Sequence, residues 1–323
     1  MKKNIAIIMG GYSSEYLISI KSGNVVFNHI DKNFFTPYRV HILKDKWVVA
    51  DNNDEEYPIN KHDFSAKIED KTVSFDFIFN VIHGTPGEDG KILAYFDLLE
   101  IPYSSAPFYQ MALTFNKRDC LSVAKNFGIK TATSHYLNLG DSYDEKEIIE
   151  KIGIPCFVKP NNAGSSFGIS KVNKINEFKT ALETAFKEDS EILIESFLDG
   201  IEVSVGVIQY KGEVKVLPIT EIVSENDFFD YEAKYLGKSQ EITPARIDEL
   251  QKENVTNAAK HIYNSLNMSG FSRSEFIFIG DTPYFLEMNT VPGMTEASLL
   301  PQQAEIAGIS LQDLLTDTIN NKI

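Results

Sequence analysis

Cysteine is scarce. The 323-residue sequence has only Cys120 and Cys156, with no C-x-x-C spacing, so it has no basis for a disulfide framework, and a reducing cytoplasm is the expected compartment. The six histidines are scattered, without the close pairs of a zinc site. Long apolar runs are also missing, and none approaches the roughly 18 residues that a spanning helix needs. The opening MKKNIAIIMGG sets two lysines before an apolar run, but Ile5 to Met9 is too short for a signal segment. The run stops at Gly10 and Gly11, which predicts a first strand entering a tight turn. Basic residues are in deficit, 31 against 46 acidic, for a net charge of -15. Bulk repulsion of that sign argues against a nucleic-acid or anionic-membrane surface. It leaves phosphate ligands open, since these need only a few lysines and backbone N–H groups inside a cleft. What remains is an ordinary globular composition, 43% hydrophobic and 24% charged. The length predicts two or three packed units rather than one core.

Along the chain, the first third alternates strand and helix signals. IAIIM, YRVHIL, KWVVA and the apolar run FDFIFNVI read as strands, and EYLISIKSGNVVFNHI and KILAYFDLLE as helices. Continuous apolar runs between helices predict parallel strands covered on both faces. DNNDEEYPINKHD reads as a surface connection and IPYS as one more strand. PCFVKP, ISKV, the helix NEFKTALETAF and ILIESFL predict a small α+β unit. VSVGVIQY and EVKVLPIT, joined by Lys211-Gly212, predict a hairpin; a long helix DELQKENVTNAAKHIYNSL, strands SRSEFIFI and PYFLEMN, and a closing helix follow. The expected division is 1–105, an α/β unit on an open parallel sheet; 106–195, a central α+β unit; and 196–323, a C-terminal unit.

Three constellations can carry chemistry. FVKPNNAGSSFGIS places Lys159 beside glycines and serines where a strand should end. Glycine lets backbone N–H groups approach anionic oxygens and the lysine adds a point charge, although the same residues also make an ordinary hairpin turn. SRSEFIFIGDTPYFLEMNTVPG predicts a second hairpin. With its turn centred on Asp281, Glu275 lies opposite Glu287 and Arg273 opposite Asn289, all on one face. Two carboxylates and an amide oxygen are hard ligands of the kind Mg²⁺ takes together with phosphate. The alternative is a polar face balanced by Arg273. GGYSSE and HGTPGEDG, the loops with Glu15 and His83, follow strands of the first unit, where open α/β sheets bind ligands; each also suits a helix-capping turn. NDFFDYEAKYLGKSQEITPA, with Lys234 and Tyr235, reads as a lid or an insert.

In this order, GGYSSE, HGTPGEDG, VKPNNAGSSFGISKV, ILIESFL, FFDYEAKY and EMNTVPGMTEASLLP span nearly the whole chain and resemble the D-alanine:D-alanine ligases of the ATP-grasp superfamily. The resemblance implies a three-domain ATP-grasp fold and an ADP-forming ligase that joins two D-alanines through an acylphosphate for peptidoglycan. It also implies a cytoplasmic homodimer whose partners are D-alanine and ATP, with no nucleic acid or membrane. By the same resemblance Lys117, Lys159 and Lys234 would hold nucleotide phosphates under Ser165 and Ser166. Glu195, Phe197 and Leu198 would meet adenine, and Glu202 the ribose. Glu275, Glu287 and Asn289 would bind two Mg²⁺, or Mn²⁺. Glu15 and His83 would take the first substrate, and Ser298 and Leu299 the carboxylate of the second. Arg273 and the Gly293 N–H would form the oxyanion hole, and Glu15, Ser165 and Tyr235 a substrate-orienting set. Three positions depart from the family pattern: Glu275 stands where R-x-D is usual, Thr85-Pro86 interrupts HGTPGEDG, and ESFL replaces a lysine-tryptophan pair. The same chemistry with D-lactate or D-serine as second substrate is one alternative. A silent ATP-grasp binding protein is another, and a dinucleotide-binding module inferred from the first unit is a third.

Overall fold

The structure, a computed structural model, describes residues 2–53, 55–162, 164, 167–224 and 239–323. Ser165, Ser166, Lys234 and Tyr235 lie outside the described residues, as does most of the expected lid.

The first unit comprises β1 (Lys3–Gly10), α1 (Tyr16–His29), β2 (Phe35–Ile42), β3 (Trp47–Ala50), β4 (Glu56–Asn60), β5 (Ser65–Ile68), β6 (Lys71–Val73), β7 (Phe77–Asn80) and α2 (Lys91–Leu98). The sheet order is β6-β5-β4-β3-β2-β1-β7, with β1 parallel to β2 and β7. Alternation along β1 explains its continuous apolar run. Ala6 and Ile8 join one buried cluster with Phe96 of α2, and Ile5, Ile7 and Met9 join another with Val26 of α1. The parallel part stops there, because β3 to β6 continue as an antiparallel meander. The polar stretch 51–63, expected as a connection, contains β4, an edge-like strand with only Ile59 buried. IPYS contributes one bridge, Tyr103 to Ile78, rather than a strand.

Next come α3 (Phe108–Phe115), α4 (Lys117–Asn126), β8 (Ser134–Asn138), α5 (Glu145–Ile152), β9 (Cys156–Pro160), β10 (Ser170–Val172), α6 (Phe178–Glu188) and β11 (Glu191–Ser196). The four strands form a sheet ordered β10-β9-β11-β8, with Ile148 of α5 and Phe178 and Leu182 of α6 in a core of its own.

The last unit holds β12 (Glu202–Tyr210), β13 (Glu213–Val216), β14 (Thr220–Ser224), β15 (Ser239–Ile242), α7 (Glu249–Ser265), β16 (Phe271–Ile279), β17 (Thr282–Asn289), α8 (Leu299–Ile306) and α9 (Leu311–Asn320). Its sheet runs β15-β14-β12-β16-β17, with β13 on β12. Lys211 and Gly212 turn that hairpin with φ of 52° and 80°, the left-handed pair that matches strand twist. Val203, Val205 and Val207 face α7, packing in one cluster with Val255, Ala259 and Ile262. Ser204 and Gly206 face the opposite side, toward α8. The closing helix divides in two at Gly308, whose φ is 75°. Among the described residues no helix is long and apolar enough to cross a membrane.

Candidate active site

The β16–β17 hairpin sets the chemistry. Arg273 pairs with Asn289 and Glu275 with Glu287, so all four side chains share a face. The route to this register differs from the expected one. Ile279 pairs with Thr282, giving a two-residue turn at Gly280-Asp281, and the register then shifts between Phe276 and Glu275. The turn alone would put Leu286 opposite Glu275 and send Glu287 to the other face. Leu286 bulges out instead, and the extra residue restores the pairing. Arg273 Nη1 donates to Glu275 Oε1 at 2.5 Å and to the Ser204 hydroxyl at 3.2 Å. Glu275 is thus buried and engaged with its arginine, while Glu287 on the same face is more exposed and lies 3.2 Å from Lys117.

Lys117 opens α4, where the Asn116 side chain caps the helix by accepting from Asp119 N–H. Asn161, fully buried at the end of β9, accepts from Arg118 N–H at 2.9 Å through its side chain and donates to Glu191 at 2.7 Å. It therefore fixes the helix bearing Lys117 against the strand bearing Lys159. Lys159 Nζ lies 2.8 Å from Glu195 Oε2. Burial alone would lower the Lys159 pKa, but the carboxylates of Glu195, Glu287 and Glu202 outweigh it and raise it. The ammonium is therefore retained. Glu195 Oε1 is buried with no partner among the described residues, an acceptor left for a ligand that donates. Phe157 and Phe197 stand 6.1 Å apart beside this pair, with Lys171 4.5 Å over the Phe197 ring.

A cavity of about 310 Å³ lies between the first unit and the hairpin. Glu15, His83, Glu88 and Gly164 line one side, and Lys117, Arg273, Glu287, Asn289, Gly293, Ser298 and Leu299 the other. Lys159, Glu195, Phe197, Leu198, Glu202 and Glu275 are not part of its lining. Lys159 and Glu195 stand on the central sheet, Phe197 and Leu198 follow its last strand, Glu202 opens β12, and Glu275 is buried on β16. Gly164 approaches the Glu15 carboxylate so closely that a Cβ there would come within 2.8 Å of it, and a larger residue would have to push that carboxylate aside. Burial lowers the pKa of His83, with Glu15 and the Val291 carbonyl opposing. Its Nε2 has no partner among the described residues. The imidazole is thus neutral and keeps one ring nitrogen for a ligand. Thr295 N–H donates to Ser298 Oγ at 3.1 Å, and Ser298 is the N-cap residue of α8.

Glu88 was not among the expected site residues. Burial, and then Glu15, push its carboxyl up to about 7, although it accepts from Gly84 N–H at 3.0 Å. Asn161 and Ser204 were missed as well. Each acts through a backbone position or a cross-strand neighbour that no short motif contains. Among the described residues no group of three or more His, Cys, Asp or Glu forms a metal centre. Glu287 and Asn289 still offer two oxygen donors to the cavity, enough for a hard divalent ion that takes its other ligands from phosphate and water.

Two sheets that bring opposed lysines and carboxylates to one cleft, beside a third unit that supplies an acid and a neutral imidazole, define a ligase of the ATP-grasp class. The family described as D-ala D-ala ligase N-terminus matches residues 4–106, and that described as D-ala D-ala ligase C-terminus matches 123–320. A D-alanine--D-alanine ligase from Flavobacterium johnsoniae is 64% identical over 98% of both chains, and one from Christiangramia forsetii 60% identical over 99% of this chain and 98% of that one. Among solved structures, a D-Ala:D-Ser ligase from Enterococcus faecalis superposes with a TM-score of 0.87 at 31% identity, covering 99% of each chain. A D-alanine--D-alanine ligase from Bacillus anthracis complexed with ATP gives 0.79 at 31%, covering 98% of this chain and 96% of that one. The chain belongs to the D-alanine:D-alanine ligase family. It joins two D-alanines for cell-wall synthesis, with the family's use of ATP and a divalent metal ion.

Proposed function

We propose that ligation runs through a D-alanyl phosphate and that each part of the site has one task. The units 1–105, 106–195 and 196–323 supply respectively the first-substrate loops, the nucleotide clasp and the hairpin. Glu15 takes the ammonium of the first D-alanine, and His83, neutral and with Nε2 unpartnered among the described residues, accepts at its side. Lys117 and Lys159 neutralise the triphosphate beneath a loop that includes Ser165 and Ser166, and Lys234 joins them from the connection after β14. The unpartnered Glu195 oxygen accepts from the adenine amino group, flanked by Phe197 and Leu198, and Glu202 meets the ribose. Glu287, Asn289 and Glu275 would hold two Mg²⁺, or Mn²⁺. When bound, these ions draw charge from the transferring phosphoryl group.

The second D-alanine lays its carboxylate on the Ser298 hydroxyl and the Leu299 N–H at the start of α8, where the helix end favours an anion. Its amine, having lost a proton, attacks the acyl carbon; the C–N bond forms, the C–O bond to phosphate breaks, and inorganic phosphate leaves as the amide nitrogen gives up its second proton. Arg273 and the Gly293 N–H stabilise the oxygen charge that develops there, an interaction strongest in the transition state. Ser165 and Tyr235 orient the reactants with Glu15. The enzyme works as a homodimer in the cytoplasm, as the resemblance implies. One observation carries this reading: Glu15, His83, Arg273, Gly293 and Ser298 line a single cavity of about 310 Å³, so both amino acids can meet beside Glu287. The test is product analysis with ATP, Mg²⁺ and equal D-alanine, D-serine and D-lactate. D-alanyl-D-alanine should dominate, with ADP release dependent on D-alanine. A mixed product in excess, or ADP released equally without D-alanine, would overturn the assignment.

A further inference from the structure

The face of the C-terminal sheet that carries the site is crossed by a polar row. Thr220, Ser204, Glu275 and Glu287 are successive cross-strand partners on β14, β12, β16 and β17. The next row on that face is Gly206, Arg273 and Asn289. Gln303 of α8, fully buried, stands where Gly206 leaves room, since a Cβ on Gly206 would come within 2.4 Å of Gln303 Oε1. Its Nε2 donates to the Ser204 carbonyl at 3.0 Å and to the Thr220 hydroxyl at 2.9 Å. A carbonyl only accepts, so the amide nitrogen has to face Ser204. The Oε1 has no partner among the described residues. The side chain is therefore kept for what its NH₂ donates, whereas a residue that merely filled the core would be apolar here.

Both ends of this contact reach functional groups. On the sheet side, the hydroxyl of Ser204 accepts from Arg273 Nη1 and donates to Glu275 Oε1 at 3.4 Å. On the helix side, Leu299 lies one turn before Gln303 on the same face, and Ser298 occupies the N-cap position. We infer that Gln303 is a positioning residue for the second substrate, setting the start of α8 at a fixed distance from Arg273. The carboxylate seat and the oxyanion group then engage one D-alanine at once. The inference rests on the assignment of Ser298 and Leu299 to that carboxylate. A displacement of about 1 Å between such groups is enough to slow a reaction strongly.

The test separates the two D-alanine sites by the dependence of rate on D-alanine over a wide concentration range. Gln303→Met preserves volume and removes both donors. It should raise the KM of the second site about tenfold while leaving the ATP and first-site KM within about twofold. Thr220→Val should act in the same direction by less, and the double variant should be no worse than Gln303→Met. An unchanged second-site KM, or one that rises together with that of ATP, overturns the inference. If Gln303→Met does not fold, Thr220→Val decides by the same split. Ser298→Ala distinguishes the two layers. If it leaves the second-site KM unchanged, the carboxylate seat is wrong and this inference goes with it. If it raises that KM while Gln303→Met does not, Gln303 alone is misassigned.

Discussion

Glu88 shows how a single side chain can hold a cost that the reaction does not reveal. Its carboxyl, buried near Glu15 and Glu287, is pushed up to about 7. Between the ordinary carboxylate range and that value the folded chain keeps a proton that the unfolded chain has released. The stability this contributes is complete at acid pH and is lost as pH rises through 7. Glu88→Gln retains the oxygen that accepts from Gly84 N–H and cannot ionise. In denaturant unfolding without nucleotide or metal, it should therefore gain on the parent protein as pH goes from 5 to 8, by on the order of 2 kcal/mol. Parallel stability curves would place the buried charge elsewhere. His83 has the opposite sign: burial lowers its pKa, so its contribution is present above the ordinary histidine value and is lost as pH falls below it.

Among elements, the joint between α4 and β9 matters most, because it brings two lysines from different elements to the same carboxylate, that of Glu287. Asn161 makes that joint with its side chain and also accepts from Lys117 N–H at 3.4 Å through its carbonyl. Asn161→Leu would leave the part-buried Arg118 N–H without its acceptor, a loss of about 1 kcal/mol. The expected outcome is a lower denaturation midpoint and a several-fold higher ATP KM, with the D-alanine KM values little changed. Equal changes in all three would argue for general loosening instead. Elements of this kind were only partly legible in the sequence. The parallel strands β1, β2 and β7 and the hairpin strands announce themselves as apolar runs with turn signals between them. The meander β4 to β6 does not, because half-exposed strands such as Glu56–Asn60 take their order from pairing rather than from hydrophobic period. Glu275 and Glu287 were expected opposite each other and are, but through a short turn and a bulge at Leu286. Bulges leave no trace in residue type, so the correct face followed from an incorrect turn. Glu88 lies within HGTPGEDG and Gln303 in no motif; the surroundings of both become visible only once distant strands are assembled.

At the scale of the molecule, the central sheet has a separate core, whereas the first and last units share two clusters that join β1 and β7 to the α7 and α9 regions. The first and last units are thus packed together, and the central sheet, besides its own core, meets the larger shared cluster through Leu193. In the proposed reaction Glu287 on the hairpin holds the metal that joins it to the nucleotide. Counting bound Mn²⁺ by electron paramagnetic resonance, with a non-hydrolysable ATP analogue, reads this out. Two tightly held ions per chain are expected in the parent protein and at most one in Glu287→Gln. The same number at the same affinity in both would contradict it.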